Sequence, residues 1–552
     1  MSKKRNIVNE LLKKNCLITP ECYEILEDLD DDILDVDKLA EAMKNEIVVT
    51  AEKLKEALMA FEDILSEGSI TQEERIPDEI LEKVESSLLE KKSQSQKDDF
   101  KIERIDTDSK ILPKTKSDLD AEATIFSPIG KKIKTKIKVI ADSTGQTTVE
   151  GSLGDFKKYF VSRYNQLSNI LRKRGDIAGG IQIGGLKKAK LQDNERVSLI
   201  GMVTEKTTLK NGSMIIEIED STGSISVYLP AKEQDLLSKA GALLQDQVAG
   251  FFGTIYDDRL ILEDFVFPDL PLNAKQISLK DPVSVCMTSD LHIGSKEFLE
   301  DSFNNLIDFL NGQVDDPYQQ TLASNIKYFI VCGDLVEGIG VYPKQEEDLL
   351  IKDIYQQYDH ATKLLAKIPD WIHIIIISGN HDACRLALPQ PSIGKEFAPK
   401  LWQMPNVTML SNPSTVNLHG KNFLLYHGNS FEDISSLTPG LSMNDPNGPM
   451  IYSLRFRHLA PTFGRRSSIV PSGKDELVIE HVPDVFHTGH IHINSHTRYR
   501  GVDCINSGTF QSQTDYMLSK NIHPTPGRVP IINLMTNKMH ELIFYENGEE
   551  RR

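Results

Sequence analysis

A chain of 552 residues is longer than one hydrophobic core supports, so several domains of roughly 100 to 200 residues joined by linker are expected. With 39% hydrophobic residues and no apolar run near the roughly 20 residues of a membrane helix, it reads as a globular, cytoplasmic protein with no membrane partner. A net charge of −18 excludes a protein that grips nucleic acid with its whole surface, because phosphate binding needs clustered Lys and Arg; any such contact is local or is supplied by a partner.

The opening residues MSKKRNIVNELLKK lack the apolar stretch of a secretion signal, and the six cysteines form no C-x-x-C pair, so they are expected to be reduced packing residues. Helical spacing of Ile7, Leu11 and Leu12, then Leu39 and Met43, then Leu54, Leu58 and Phe61 predicts a small helical domain over 1–65. Residues 66–125 are polar and charged and predict a flexible linker, with one short helix over 80–89. A basic connecting segment follows at 126–194, with the alternating stretch KKIKTKIKVI and the amphipathic FKKYFVSRYNQLSNILRKR. A nucleic-acid or partner contact and a solvated basic helix face both fit that segment.

From 195 to 272 the apolar period becomes two. Three strands with turns at Lys210-Asn211-Gly212 and Asp220-Ser221-Thr222-Gly223, a helical connection from Ala231 to Ala242 and two further strands predict an OB-type β-barrel. Such a barrel serves equally as a single-strand binder or as a spacer.

Residues 280–552 alternate strand, polar loop and helix, which predicts an α/β domain and makes the whole chain a multidomain α+β protein. Five short motifs occur there in order, each at the end of an apolar strand. SVCMTSDLHIG carries Asp290 and His292, YFIVCGDLVEG carries Asp334, IIIISGNHD carries Asn380 and His381, NFLLYHGNS carries His427, and DVFHTGHIHINS carries His490 and His492. Carboxylate, imidazole and amide oxygen suit manganese, zinc or iron, with magnesium less favoured by the histidines; cysteine is absent from the set, which disfavours structural zinc. The donors suffice for two divalent ions. Residues two apart on an extended segment point the same way, so Asp290 and His292 are expected to converge on one metal from such a segment. Asp382 either orients His381 or caps the loop.

D-x-H, G-D, G-N-H-D, H-G and G-H-x-H in this order resemble the calcineurin-like metallophosphoesterase superfamily over about 285–515. With the upstream barrel, linker and helical domain, the chain resembles the family of small subunits of archaeal family-D DNA polymerases, and LRFRHLAPTFGRR at 454–466 adds to the likeness. The resemblance implies a phosphoesterase β-sandwich flanked by helices over 280–552. It implies one metal on Asp290, His292 and His492, another on Asn380, His427 and His490, Asp334 bridging them, manganese as the first choice of ion, and His381 as general acid or transition-state donor. It further implies 3′→5′ exonuclease proofreading of single-stranded DNA or a primer 3′ end, in a heterodimer whose large subunit carries polymerisation, with a sliding clamp as a further candidate partner. Arg455, Arg457, Arg465 and Arg466 either clamp DNA phosphates or hold their own loop together. Alternatives are a non-catalytic polymerase subunit, a repair nuclease, a phosphatase of the same superfamily, and a single-strand binding module built on the barrel.

Overall fold

The computed structural model describes residues 126–188, 195–272, 279–519, 521–546 and 548–551, together with the short strands Leu17–Ile18 and Val48–Val49. The chain divides into two compact units, Met1–Ser109 and Lys110–Arg552. In the first unit the two short strands pair in parallel. The expected helical domain and linker otherwise lie outside the described residues, as do Cys16 and Cys22.

In the second unit, strands β2 (Arg196–Thr208), β3 (Met214–Asp220), β4 (Gly223–Leu229), β5 (Val248–Tyr256) and β6 (Arg259–Val266) close into a barrel of order β2-β3-β4-β6-β5. Inward residues such as Leu199, Ile216, Ile218, Val227, Phe251 and Phe265 alternate along the strands and fill its core. Asp220 tightens the β3–β4 turn by accepting the Thr222 and Gly223 N–H groups at 2.7 and 3.1 Å. The helical connection forms at Gln234–Gly241, between β4 and β5 as expected.

The segment before the barrel does more than connect. Its strand β1 (Ile137–Asp142) pairs antiparallel with Ser414–Leu418 at the rim of the following domain. Alternating lysines at 134, 136 and 138 leave this edge poorly suited to further strand pairing, while Ile133 and Ile137 pack inward. Helix α1 (Leu153–Arg172) starts at a capping box between Ser152 and Asp155. Tyr159, Arg163, Tyr164, Leu167 and Leu171 recur at helical spacing on its buried face. That face packs on barrel residues Ile200, Met202 and Val248 and on Val478, so the aromatic-basic helix is a wedge between barrel and α/β domain. Tyr159 and Tyr164 of this helix are core.

The α/β domain is a sandwich of two six-stranded sheets. The first contains β7 (Ser284–Thr288), β8 (Ile326–Cys332), β9 (His373–Ile377), β10 (Val407–Leu410), β16 (Arg528–Asn533) and β17 (Met539–Ile543), in the order β10-β9-β8-β7-β16-β17. The second contains β1 with β11 (Ser414–Leu418), β12 (Lys421–Leu425), β13 (Val485–Thr488), β14 (Asn494–Tyr499) and β15 (Val502–Ser507), in the order β14-β15-β13-β12-β11-β1. Val285, Met287, Ile330, Ile375 and Ile377 meet Val416, Phe423, Leu425, Val485 and Ile505 in one core between the sheets. The alternate residues of β7 to β9 are buried too, which is why those strands read as unbroken apolar runs. On the outer face of the second sheet, helices Phe431–Leu437 and Asn447–Phe456 cover Leu424, Phe486 and Cys504. Because β7, β8 and β9 are parallel, as are β12 and β13, their carboxyl ends open on one edge of the sandwich.

Cys286, Cys332 and Cys504 are buried and unpaired, consistent with packing roles. Among the described residues no helix is long and apolar enough to cross a membrane.

Candidate metal centre

Every motif residue lies just past a strand end at that edge. Asp290 and His292 follow β7, Asp334 follows β8, Asn380 and His381 follow β9, His427 follows β12, and His490 and His492 follow β13. The loops are stitched to each other by backbone bonds from Asp290 N–H to the Gly333 carbonyl (3.0 Å), His292 N–H to Asp334 (3.1 Å) and Gly489 N–H to His427 (2.9 Å). Side chains add the His381 N–H on Asp334 Oδ1 (2.8 Å) and the His490 N–H on Asp290 Oδ2 (2.9 Å).

The convergence is not that of an extended strand. Asp290, His292, Asp334, His490 and His492 all have left-handed φ, at 51°, 52°, 49°, 70° and 64°. The expectation that Asp290 and His292 meet by strand alternation is therefore corrected: β7 ends at Thr288, and a left-handed turn at each ligand aims it. Such conformations cost of order 1–3 kcal/mol each and persist only where the surroundings over-determine them. Glycine is required at two nearby points. A Cβ on Gly379 would stand 2.1 Å from Asp334 Oδ1, and one on Gly333, at φ 91°, would stand 2.4 Å from His427 Nδ1.

Three groupings share this space: Asp290 with His292 and His492, Asp290 with Asp334 and His427, and His292 with Glu337 and His381. Asp290 Oδ1 lies 3.2 Å from His492 Nε2 and 3.9 Å from both His427 Nε2 and His292 Nε2, yet it makes no hydrogen bond. Asp334 Oδ2 is 3.2 Å from His427 Nε2 and 3.9 Å from His292 Nε2, and His292 and His492 face each other Nε2 to Nε2 at 3.2 Å. Asn380 Oδ1 is 3.0 Å from His427 Nε2. Ligands held at roughly 2.1 Å from a common ion stand about 3.0–3.4 Å apart, so the 3.0 and 3.2 Å separations are also those of groups that could share a cation. Asp290 and Asp334 both reach histidines expected on different ions. His490 stands edge-on to His427 with centroids 5.1 Å apart and belongs to none of these groupings.

Burial alone would discharge every group here. Instead, Asp334 and Asp290 override burial and raise His427 to about 10, while Glu337 overrides it and raises His292 to about 9. In turn, His427 and His492 hold Asp290 down at about 2 against its burial. Three dry carboxylates, Asp290, Asp334 and Glu337, thus draw cationic partners, and divalent ions would meet the same demand with release of protons.

Glu337 was not among the expected residues. It is buried, accepts from His292 Nδ1 at 2.9 Å, Gln511 Nε2 at 3.0 Å and Gln345 Nε2 at 3.2 Å, and so fixes the His292 tautomer with Nε2 toward the cluster. An acidic residue three positions after Asp334 in a glycine-bounded loop was the available signal; Gln345 and Gln511 had none. Glu337→Gln is expected to lower metal affinity and any metal-dependent activity by roughly 10- to 100-fold, read by calorimetric metal titration of the full chain.

His381 donates Nδ1–H to the Glu337 carbonyl at 2.8 Å, leaving Nε2 for a ligand. Asp382 does not orient it. Its carboxylate accepts the Gly379 and Leu335 N–H groups at 2.9 and 3.3 Å and the Tyr358 hydroxyl at 3.2 Å, which makes it the cap of the β9 loop. The arginines are mostly structural. Arg457 is buried on the Ile479 and Glu480 carbonyls, Arg455 stacks over Phe267 and Tyr452, and Arg466 pairs with Glu432.

Residues 285–496 match the DNA polymerase alpha/epsilon B-subunit family. The DNA polymerase II small subunit of Methanothermobacter thermautotrophicus is 42% identical over 405 residues, covering 73% of this chain and 82% of that protein. Those of Pyrococcus furiosus and Archaeoglobus fulgidus are each 40% identical, over 76% and 72% of this chain and 68% and 78% of their own lengths. Among solved structures, an archaeal phosphodiesterase aligns at 14% identity over 47% of this chain and 99% of its own, with a TM-score of 0.25. A phosphoesterase from E. coli aligns at 13% identity over 48% and 100%, with a TM-score of 0.23. Scores this low carry no argument.

Proposed function

Because the chain belongs to the family of archaeal DNA polymerase II small subunits, we propose that it is the nuclease subunit of a heteromeric replicative polymerase, a dinuclear-metal 3′→5′ exonuclease that trims single-stranded DNA at a primer end. The large subunit then carries synthesis. On this reading the closed five-stranded barrel is of the OB type, since its third strand pairs in parallel with its fifth, and the sandwich is a metallophosphoesterase domain. The observation that carries the proposal is the meeting of Asp290, His292, Asp334, Asn380, His427 and His492 from five separate loops in one buried cluster, with His490 and His381 at its edge.

Asp290, His292 and His492 would hold one ion, Asn380, His427 and His490 the other, and Asp334 would reach both. The donor set favours manganese, with magnesium, iron or zinc as alternatives. The chemistry supplied at such a centre is Lewis-acid polarisation of the phosphoryl oxygens and acidification of an attacking water. The chain's own residues do the rest. Glu337 holds His292 in the ligating tautomer, and the Asp382 cap holds the loop that aims Asn380. His381, fixed through its Nδ1–H on the Glu337 carbonyl, would carry on Nε2, in its imidazolium form, the proton that passes to the leaving 3′ oxygen as the phosphorus–oxygen bond breaks. Water is consumed and a 5′-mononucleotide is released.

Three basic side chains of the barrel are engaged within the chain. Arg196 and Lys239 are paired with Glu263 and Asp264, and Lys206 is spent on the Gly241 and Leu243 carbonyls.

The test is digestion of 5′-labelled single-stranded DNA by the full chain with manganese. A ladder that shortens from the 3′ end, and that His381→Ala slows by roughly 10²- to 10⁴-fold, supports the reading. No digestion, alone and with the large subunit present, would move the protein to a structural role.

A further inference from the structure

Two buried amides outside the expected ligand set link a pair of its loops. Gln390 lies in the loop after β9 and Asn412 in the turn between β10 and β11, and both are fully buried. Their backbones pair in both directions, Gln390 N–H on the Asn412 carbonyl at 2.7 Å and Asn412 N–H on the Gln390 carbonyl at 3.0 Å, and Asn412 Nδ2 donates to Gln390 Oε1 at 2.7 Å. The far end of each side chain then reaches the backbone of an expected ligand loop. Gln390 Nε2 donates at 3.0 Å to the carbonyl of Gly379, the peptide that leads into Asn380, and at 3.1 Å to the Arg385 carbonyl. Asn412 Oδ1 accepts the His427 N–H at 2.9 Å, and Nδ2 also donates to Asn429 Oδ1 at 2.9 Å. Neither amide can be turned over, because reversal would set NH2 against an N–H at one end or an oxygen against two carbonyls at the other.

Gly379 is thus held from both sides, its N–H by Asp382 at 2.9 Å and its carbonyl by Gln390. His427 is held likewise, its ring Nδ1–H on the Cys332 carbonyl at 2.9 Å and its backbone N–H on Asn412. Between these fixed points Asn380 Oδ1 and His427 Nε2 face each other at 3.0 Å. His292 rests on a different support, Glu337, whose amide partners Gln345 and Gln511 share no hydrogen bond with Gln390 or Asn412.

We propose that Gln390 and Asn412 are positioning residues for one metal position only: the amide pair fixes Asn380 against His427 and so sets the affinity of the ion those two ligands would hold. The proposal rests on the two-ion reading above and adds that each position has its own support. Metal–ligand distances are tolerated only within about 0.2 Å, so a loop that drifts further loses affinity. Uncharged supports suit this cluster, which already holds three buried carboxylates, because they set a distance without competing for the ions. A satisfied amide pair is also ordinary packing, but packing does not predict selectivity between two ions.

Calorimetric manganese titration of the full chain, with electron paramagnetic resonance of the bound ions, tests this. The wild type is expected to bind two ions and to give the spectrum of a magnetically coupled pair. Gln390→Glu keeps the shape of the side chain but sets an oxygen against the Gly379 and Arg385 carbonyls. It is expected to weaken one ion by roughly 10- to 100-fold, to leave the other unchanged and to replace the coupled spectrum by that of an isolated ion. Glu337→Gln is expected to weaken the other ion, so the double variant should hold neither tightly. Asn429→Ala, at a half-buried position, removes a single bond to Asn412 and is expected to weaken the same ion as Gln390→Glu to a smaller extent; it replaces Gln390→Glu should that variant not fold. Unchanged affinities, equal weakening of both ions, or a double variant that keeps one ion tight would overturn the separate support and leave the nuclease reading intact. A wild type that binds fewer than two ions would overturn the two-ion reading and the proposal with it.

Discussion

Asp334→Asn is expected to abolish manganese-dependent DNA digestion, by about 10³-fold or more, while leaving the fold intact. The substitution keeps the shape of the side chain and removes one negative charge from a buried cluster. Asp334 Oδ1 accepts the His381 N–H at 2.8 Å, a bond that an amide oxygen can still accept. Its Oδ2, 3.2 Å from His427 Nε2, is on the proposed reading the atom that would reach both ions, and an amide nitrogen there carries no lone pair for a metal. Losing a ligand that spans the centre forfeits several kcal/mol of charge stabilisation in the transition state, and each 1.36 kcal/mol is tenfold in rate. Calorimetric titration is the companion measurement, with the manganese stoichiometry expected to fall. Activity within tenfold of wild type, with metal binding unchanged, would place the phosphodiesterase centre elsewhere.

Arg163→Met is expected to destabilise the Lys110–Arg552 unit by about 3–5 kcal/mol, the usual cost of leaving a buried charge without its partner. Arg163 and Asp475 are both fully buried and pair at 2.7 Å. The guanidinium also donates to the Pro461 carbonyl, to the Asp246 carbonyl of the barrel and to the Tyr159 hydroxyl, so one side chain ties α1, the barrel and the α/β domain together. His458 donates Nε2–H to Asp475 at 2.8 Å while its Nδ1 accepts the Ala460 N–H at 3.0 Å, which fixes it as a neutral ring. Burial alone would raise the Asp475 carboxyl, but His458 and the Arg163 guanidinium hold it well below the usual carboxylate range. A carboxylate depressed in this way stabilises the fold above its unfolded pKa of roughly 3.9, and that stability drains away as pH falls below it. The denaturation midpoint of the wild type is therefore expected to drop below about pH 4, and that of Asp475→Asn to respond less. A double variant with Arg163→Met and Asp475→Leu is expected to recover much of the loss, because it leaves no charge unpaired. Equal midpoints for Arg163→Met and wild type would show that the wedge is held by its apolar face alone.

The residues that meet in the cluster were legible because each sits just past a run such as Ile374–Ile377, where a sheet buried on both faces has to stop. The barrel was legible for a related reason: a strict period of two with Gly and Asn at its turns leaves few alternatives. Glu337, Gln345 and Gln511 were not, since a carboxylate or amide that supports a ligand carries no local pattern and its partner lies in another loop. The left-handed φ at Asp290, His292, Asp334, His490 and His492 was equally hidden, because non-glycine residues adopt it only under tertiary constraint.

The segment at 126–194 shows the division most clearly. Its sequence showed a basic alternating stretch and an amphipathic helix; the first contributes the strand Ile137–Asp142 and the second forms the helix Leu153–Arg172. Their purpose depended on what lay 260 or more residues away: Thr415 pairs with Ala141, and Asp475 receives Arg163. Local sequence determines periodicity, turn chemistry and the chemical types of the ligands, because these depend on neighbours within a few residues. Which basic residue is buried and which carboxylates and imidazoles meet depend on elements brought together only by packing, and those were decided by the tertiary structure alone.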